Sequence, residues 1–181
     1  MKPSDPDKLR YPIGTFKKPF PITPEIIKIY QRDIESFPQR LKNEVAHLSE
    51  DQLNTPYRSG GWTIRQLIHH CADSHLNAYI RFKLTLTEDN PTIKPYDQER
   101  WAELPDGITP PITVSLQLLE GLHYRWTLLL KNLKKGDLVR TFFHPEHGKE
   151  FRLEEVLGQY AWHGNHHLAH ITQLKKQKGW K

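Results

Sequence analysis

Histidines near the C-terminal end of the chain are the residues best suited to chemistry. Four of the eleven histidines form two pairs with a spacing of four residues, His163 with His167 and His166 with His170. Residues four apart on an α-helix lie on one face, one turn apart. Two imidazoles with this spacing are able to bind the same metal ion. The pattern therefore predicts either a metal site on a helix or a set of buried, hydrogen-bonded histidines.

A helical projection at about 100° per residue separates the two pairs. The apolar residues of this segment form one stripe, made of Leu153, Val156, Leu157, Tyr160, Ala161, Leu168, Ile171 and Leu174. His167 falls inside the stripe and His163 at its edge. His170 lies further out, and His166 lies almost opposite the stripe. Gly164 also projects inward and leaves room beside the histidines, so we expect His163 and His167 to be the inward pair.

The composition is that of one soluble, ordered domain over residues 1–181. This length is enough to bury a core, and the formal charge of +5 is small and spread along the chain. Without a recognition motif, such a charge does not indicate nucleic-acid binding. No run approaches the ~18 apolar residues of a membrane span, and the first residues lack an apolar signal region. We expect a cytoplasmic protein with no intrachain disulfide, because Cys71 is the only cysteine.

Four amphipathic segments predict long helices and thus an all-α fold. They run from 23 to about 47, from 63 to about 88, from 113 to about 133 and from 153 to about 178. Thr23 and Thr63 are suitable N-caps, while Pro38 predicts a kink or a break in the first helix. Four long helices with little strand imply an antiparallel four-helix bundle, in which sites are built on facing helices.

Three further segments connect or flank these helices. Residues 139–143 and 150–152 predict a small hairpin before the last helix. Residues 1–22 are rich in proline, which blocks helix and predicts an extended arm lying on the main body. The proline-rich segment 89–111 is long for a loop in a compact domain, and such loops are usually functional.

A second segment with histidines lies about ninety residues before His163. It reads Gly61-Trp62-Thr63-Ile64-Arg65-Gln66-Leu67-Ile68-His69-His70. Together with the pair His163 and His167, this segment resembles the DinB superfamily. The flanking blocks that resemble its YfiT-like branch are Tyr11-Pro12-Ile13-Gly14, Asp73-Ser74-His75, Tyr79-Ile80-Arg81-Phe82-Lys83 and Trp162-His163. The resemblance covers nearly the whole chain and implies a four-helix bundle that holds one divalent metal ion through His70, His163 and His167.

Helical periodicity alone favours a different third ligand. On the second predicted helix the apolar stripe contains His75, whereas His70 projects almost opposite, beside Gln66 and Asp73. The resemblance implies His70, and we follow it because a helix in such a bundle is able to bury a polar face around a metal pocket. His75 is then interpreted as a buried residue that is hydrogen-bonded or supports the ligands. We interpret His69 and His166 as exposed or supporting residues rather than ligands.

Three neutral imidazoles suit Zn²⁺, with Ni²⁺ as the alternative, better than Mg²⁺ or Ca²⁺. Three protein ligands leave a position for water or substrate, as in catalytic sites. The resemblance implies a metal-dependent hydrolase, and we expect a small-molecule substrate. It also points to relatives that attach a low-molecular-weight thiol such as bacillithiol to electrophiles. A metal-binding bundle without turnover and an interaction module with incidental histidines are the remaining hypotheses.

Spacing assigns no catalytic base. The segment His163-Gly164-Asn165-His166-His167 lacks the glutamate of the H-E-x-x-H motif. Asp73 is the nearest candidate, although a solvated carboxylate is the simpler interpretation. Cys71 falls on the apolar stripe of its helix, which predicts an inert core thiol. The resemblance further implies a homodimer.

Overall fold

Four long helices make up most of residues 9–180, the part of the chain that the computed structural model describes. They are α1 (Pro24–Val45), α2 (Ile64–Thr87), α3 (Ile112–Lys131) and α4 (Leu153–Lys178). Short helical segments lie at Glu50–Leu53, Gln98–Ala102, Pro105–Ile108 and Lys135–Leu138. The predicted all-α fold is confirmed. Within these residues, no helix has both the length and the apolar character that a membrane span requires.

Local sequence explains where these helices begin and end. The backbone N–H of Ile26 donates to the hydroxyl of Thr23, and Thr63 forms a capping box with Gln66. Both caps were predicted from the sequence. Helix α4 ends at Gly179, whose φ of 69° lies in the left-handed region that glycine adopts at little steric cost.

A two-stranded hairpin precedes α4, as the sequence predicted. Strand β1 (Thr141–His144) pairs antiparallel with β2 (Lys149–Arg152). Phe142 and His144 alternate with exposed or half-buried neighbours along β1, and both are buried on the side that faces the bundle. The hairpin therefore fixes His144 against the helices.

Helices that follow each other in sequence are not neighbours in the bundle. Helix α1 packs against α3 and α4, and α2 packs against the same two helices, so α1 and α2 lie on a diagonal. Along α1, the ring of Tyr30 meets Gly158 of α4, and the carbonyl oxygen of Glu44 accepts a hydrogen bond from Lys175. The residue numbers of α1 and of α4 both increase from the first contact to the second, so the two helices run parallel.

Helices α2 and α3 also run parallel. His75 meets His123, and one turn or more further along, Phe82 meets Trp126. The chain must therefore return the full length of α2, whose 24 residues span about 36 Å, before α3 begins. The proline-rich segment 88–111 makes this return, which explains its length.

Two apolar clusters fill the bundle, and buried histidines lie where they meet. The first includes Trp126 and Tyr160, and the second includes Phe37. The ring of His75 stacks on Phe37 at 5.0 Å between centroids. On its other sides it meets the edges of Trp126 at 6.1 Å and Tyr160 at 5.4 Å. His75 is thus held between the two clusters.

Gly164 allows α1 to approach α4 closely. A Cβ atom at this position would lie 2.9 Å from Cδ2 of Phe37, closer than side-chain carbons pack. The sequence predicted that Gly164 faces inward, and the structure confirms this. The space that the glycine leaves is filled by the ring of Phe37, so it is not free for a ligand.

The described part of the N-terminal arm lies along α4. The indole Nε1 of Trp162 donates to the carbonyl oxygen of Gly14 at 3.3 Å, and the Trp162 ring lies 6.3 Å from that of Phe16. Lys18 forms a salt bridge of 2.9 Å with Glu155. Residues 1–8 of the predicted arm lie outside the described residues. The arm covers a face of α4 that the other three helices leave open.

Candidate metal centre

Three imidazole nitrogens converge between α2 and α4. Nε2 of His163 lies 3.3 Å from Nε2 of His70 and 3.2 Å from Nε2 of His167. A ligand nitrogen of each histidine lies within 4.8 Å of the other two. In a tetrahedral site with metal–nitrogen bonds of about 2.0–2.1 Å, neighbouring nitrogens are about 3.3 Å apart. The measured separations fit such a site, and we call these three residues the histidine cluster.

Burial keeps the histidine cluster uncharged. It lowers the pKa of His70 to about 4. Burial first, and then the neighbouring histidines, lower the pKa values of His163 and His167 well below their usual range. A neutral imidazole keeps a lone pair on one ring nitrogen, which is the form that binds a metal ion. At pH 7 the cluster is therefore ready to bind without first losing protons.

A chain of buried histidines determines which nitrogen of His163 carries its proton. The chain starts at the carbonyl oxygen of Ile34, 2.6 Å from Nδ1 of His123. Because a carbonyl oxygen only accepts, His123 carries its proton on Nδ1. Burial lowers the pKa of His123 to about 4, so the ring is neutral and its Nε2 is an acceptor. This Nε2 lies 2.8 Å from Nδ1 of His75, which must donate.

The same reasoning shows which ring nitrogens of His75 and His163 carry a proton. Burial lowers the pKa of His75 well below its usual range, so this ring is also neutral and accepts at Nε2. That nitrogen lies 3.0 Å from Nδ1 of His163, which donates. Nε2 of His163 is left without a proton, and its lone pair faces His70 and His167. Metal-binding histidines are commonly oriented by such a hydrogen bond at their other nitrogen.

Pro38 explains why the Ile34 carbonyl is available to start this chain. In an α-helix that oxygen accepts from the N–H four residues later, and at position 38 proline has none. Instead, the oxygen accepts from His123, so this buried carbonyl group is paired. The sequence predicted a kink or a break at Pro38. The helix is not broken, because α1 is a single helix of 22 residues with Pro38 inside it.

The structure separates the two candidates for the third member of the cluster. His70 lies with His163 and His167, as the resemblance implied. His75, which periodicity favoured, lies behind His163 and contacts its other ring nitrogen. Its position matches the supporting role that the sequence analysis gave it when His70 was chosen as the ligand.

Periodicity placed His70 on an outward face of α2, and that placement was wrong. His70 is only 4% exposed. Its ring lies 4.5 Å from that of Trp62. The segment that returns from α2 to α3 covers the same face, where Gln66 donates to the carbonyl oxygen of Ala102. His69 is buried there too, 2.7 Å from the hydroxyl of Ser115. Helix α2 is thus enclosed on its polar face as well as its apolar one.

A cavity of about 640 Å³ reaches the histidine cluster. Its lining includes His163, Ser74 and Tyr96, and the hydroxyl of Ser74 lies 3.5 Å from Nε2 of His163. Burial raises the pKa of Tyr96 to about 12, so its hydroxyl stays protonated at pH 7 and is able to donate. The cavity has the size of a small-molecule site, and it gives such a molecule access to the cluster.

Comparison with known proteins identifies the family. A family model described as the DinB superfamily matches residues 33–171. Over 172 residues, the chain is 56% identical to proteins of Bacillus cereus (strain 03BB102) and Bacillus thuringiensis subsp. konkukian (strain 97-27), covering 95% of this chain and 98% of each relative. The chain belongs to the DinB superfamily. The names of both relatives propose a metal-dependent hydrolase activity for them.

A solved structure supports the fold. YfiT from Bacillus subtilis is 48% identical and superposes with a TM-score of 0.94, covering 96% of this chain and 99% of that one. It is described as a proposed metal-dependent hydrolase with an unusual four-helix bundle topology. The predicted resemblance to the DinB superfamily and its YfiT-like branch is confirmed.

This DinB-superfamily chain carries a second group of histidines beside the cluster. Nitrogens of His166, His167 and His170 lie within 4.8 Å of one another, and Nε2 of His166 is 3.1 Å from Nε2 of His170. The projection had placed His166 outward, but only 8% of it is exposed. Its ring stacks on Trp162 at 4.5 Å and lies 6.1 Å from Tyr11 of the arm. The arm therefore buries a face of α4 that periodicity marks as open.

Two further residues that the sequence singled out stand apart from the cluster. Cys71 is fully buried, and burial raises the pKa of its thiol, so the prediction of an inert core thiol is confirmed. Asp73 is half-buried and does not line the cavity. Burial and the nearby Asp106 raise its pKa to about 6. The geometry therefore does not make Asp73 the catalytic base.

The metal-free protein is expected to lose stability in acid. Burial lowers the pKa values of His70 and His123 to about 4, while an unfolded histidine titrates near 6.5. From pH 6.5 down to about 4 the unfolded chain binds protons that the folded chain excludes. Each such histidine then lowers the free energy of unfolding by up to about 1.4 kcal/mol per pH unit. Asp73 has the opposite effect, because its pKa is raised and the folded chain therefore binds its proton at a higher pH than the unfolded chain does.

Urea unfolding of the metal-free protein at about pH 7, 6 and 5 measures the effect. We expect the free energy of unfolding to fall at each step, and to fall less in His123→Leu, which lacks one of the titrating groups. Stability that stays constant over this range would contradict the neutral, buried state of these histidines.

Proposed function

We propose that this protein is a metal-dependent hydrolase with one divalent ion per chain, held by His70, His163 and His167. The observation that carries the proposal is the convergence of three neutral imidazole nitrogens at a cavity large enough for a small molecule. Zn²⁺ is the ion we propose and Ni²⁺ the alternative, because neutral nitrogen ligands suit both. The names of the relatives and of YfiT support the same activity.

The residues fit such an ion in number as well as in spacing. Within residues 9–180, the cluster has three members, and a closed structural zinc site has four protein ligands. A three-ligand site leaves a position for water or substrate, which favours catalysis over storage. When bound, a divalent ion supplies a Lewis acid that lowers the pKa of a coordinated water to ~7 and polarises a carbonyl group.

Side chains around the cluster provide the rest of the proposed site. His75 holds His163 in the tautomer that presents a lone pair to the cavity side. The hydroxyls of Ser74 and Tyr96 face the same cavity, and the protonated Tyr96 is able to donate to an oxygen of the substrate. We propose that the substrate is a small molecule that enters this cavity with its cleavable bond toward His163.

Metal-dependent hydrolysis by the purified protein tests the proposal. Protein purified without an affinity tag is stripped with a chelator, reconstituted with Zn²⁺ or Ni²⁺, and analysed by mass spectrometry for metal content. It is then assayed against a panel of chromogenic esters and amides. We expect about one ion per chain, as three convergent nitrogens imply, with hydrolysis in the loaded protein, none in the stripped protein, and recovery when the ion returns.

Two outcomes would change this conclusion. A protein that takes up neither ion after reconstitution is not a metal-dependent hydrolase. A parallel assay adds a low-molecular-weight thiol and an electrophile to the loaded protein. If the product contains the thiol while no ester or amide is cleaved, thiol transfer replaces hydrolysis as the reaction of this site.

A further inference from the structure

An arginine without a partner lines the cavity that reaches the histidine cluster. Arg81 lies on α2, is half-buried, and shares the cavity wall with Ser74 and His163. Within residues 9–180 its guanidinium forms neither a salt bridge nor a hydrogen bond. A half-buried cation is usually paired, because removing charge from water is costly. The unpaired Arg81 therefore points to a ligand that supplies the missing negative charge.

A second unsatisfied group lies beside it. His144, at the end of β1, lines the same cavity, and its Nδ1 is buried without a hydrogen-bond partner among the described residues. Burial first, and then the charges of His147 and Arg81, lower the pKa of His144. Arg81 and His144 share the wall of this cavity. A neutral His144 offers one N–H to whatever binds between them.

Carboxylates also line the cavity, but they do not neutralise Arg81. Asp97, Glu99 and Glu146 are all exposed, which puts them at the rim. None of them forms a salt bridge with Arg81. Water and salt screen exposed charges much more than half-buried ones. Arg81 is therefore the half-buried charge in the wall of the cavity, whereas the three carboxylates are open to solvent.

We propose that the substrate of this site carries an anionic group, a carboxylate or a phosphate, and that Arg81 binds it. The planar guanidinium donates two parallel hydrogen bonds to such groups. Arg81 lies seven positions after Ser74 on α2, a rise of about 10 Å. The anionic group and the cleaved bond therefore belong to different ends of the substrate. The inference rests on the proposed function, since it specifies the substrate class of the same cavity.

Anion binding by the metal-free protein tests this inference apart from the metal chemistry. Sodium acetate, inorganic phosphate and neutral acetamide are titrated in turn, and binding is followed by ¹H–¹⁵N NMR. The side-chain Nε–H signal of Arg81 is assigned by its absence in Arg81→Gln. We expect acetate or phosphate, but not acetamide, to shift this signal along a saturable curve. The anion that binds more tightly distinguishes a carboxylate from a phosphate substrate.

Two variants provide the comparison. Arg81→Gln is expected to weaken anion binding about tenfold or more, the usual effect of losing hydrogen bonds to a charged group. Backbone signals around His144 report this binding in the variant. Lys83→Gln removes the same charge from an exposed position of the same helix, and it should bind the anions as the wild type does. Urea midpoints of all three proteins show that each is folded.

The outcomes separate this inference from the proposed function. Anion binding that is absent in the wild type, unchanged in Arg81→Gln, or matched by acetamide overturns the inference. The hydrolase proposal still stands in that case if the protein takes up one zinc ion per chain. Conversely, a protein that binds acetate through Arg81 but takes up no metal retains the anion site and loses the proposed function.

Discussion

Alanine at His70 or His167 will strongly weaken metal binding, whereas alanine at His170 will leave about one ion per chain. Each of the first two changes removes one of the three nitrogens that converge on the proposed ion among residues 9–180. Structural zinc sites with four ligands bind with roughly 10–16 kcal/mol, so one ligand contributes about 3 kcal/mol or more. A loss of this size weakens binding at least about a hundredfold. Metal content by mass spectrometry and titration of the stripped protein with Zn²⁺ measure both effects.

His170 is a matched control for these variants. It lies on the same helix one turn beyond His167, is buried to a similar degree, and has another histidine as its hydrogen-bond partner. Any general effect of removing a buried imidazole from α4 therefore also occurs in His170→Ala. Loss of the ion in His170→Ala would show that the second histidine group binds it.

His75→Ala decides between the two assignments of the third ligand. If His70 is the ligand, His75→Ala binds the ion more weakly, by about 10–100-fold, because only a supporting hydrogen bond is lost. A protein that retains its ion without His70 but loses it completely without His75 would show that helical periodicity had identified the ligand. The distances favour the first result, since Nε2 of His75 faces Nδ1 of His163 and not the three nitrogens that converge.

Features that depend on local chemistry were predictable from the sequence. The N-caps Thr23 and Thr63, the four helices and the hairpin follow from short-range patterns, and all are present. The inward face of α4 was also predictable near Gly164 and His167, because the apolar stripe there packs against neighbouring helices. These predictions need only the residues within one or two helical turns.

Burial by distant segments was not predictable in this way. His166 is covered by the N-terminal arm, which lies more than a hundred residues earlier in the chain. His70 is covered by Trp62 and by the segment that returns to α3. A projection of one helix treats every face without apolar residues as open to solvent. It therefore fails wherever a loop covers a polar face.

One feature of the sequence could have predicted where the hydrogen-bond chain that ends at His163 begins. Pro38 lies inside an amphipathic helix and has no backbone N–H, so the carbonyl oxygen of Ile34 necessarily lacks its helical hydrogen bond. A buried histidine such as His123 is a natural donor to it. The identity of that donor depends on how α3 packs against α1, which helical patterns do not determine.

Leucine at His123 will weaken metal binding by about 10–100-fold, although His123 is not a ligand. Leucine cannot accept from Nδ1 of His75, so nothing then holds the proton of His75 on that nitrogen. With its proton on Nε2 instead, His75 donates toward Nδ1 of His163 and drives the proton of His163 onto its own Nε2. That nitrogen then has no lone pair for the ion. Zinc titration measures the affinity, and ¹⁵N NMR of the metal-free protein measures the tautomer of His163.

Two further variants distinguish this positioning role from simple loss of packing. His123→Gln retains an N–H for the Ile34 carbonyl and an oxygen to accept from His75, so it should restore both the tautomer and most of the affinity. His69→Leu removes another buried histidine, which is hydrogen-bonded to Ser115 and does not belong to the histidine hydrogen-bond chain. This variant should leave the tautomer of His163 unchanged. If His123→Leu lowers stability but His163 keeps its proton on Nδ1, the histidine chain does not control the ligand. A shift of that proton in His123→Leu alone would show that His123 controls the ligand nitrogen of His163 through His75.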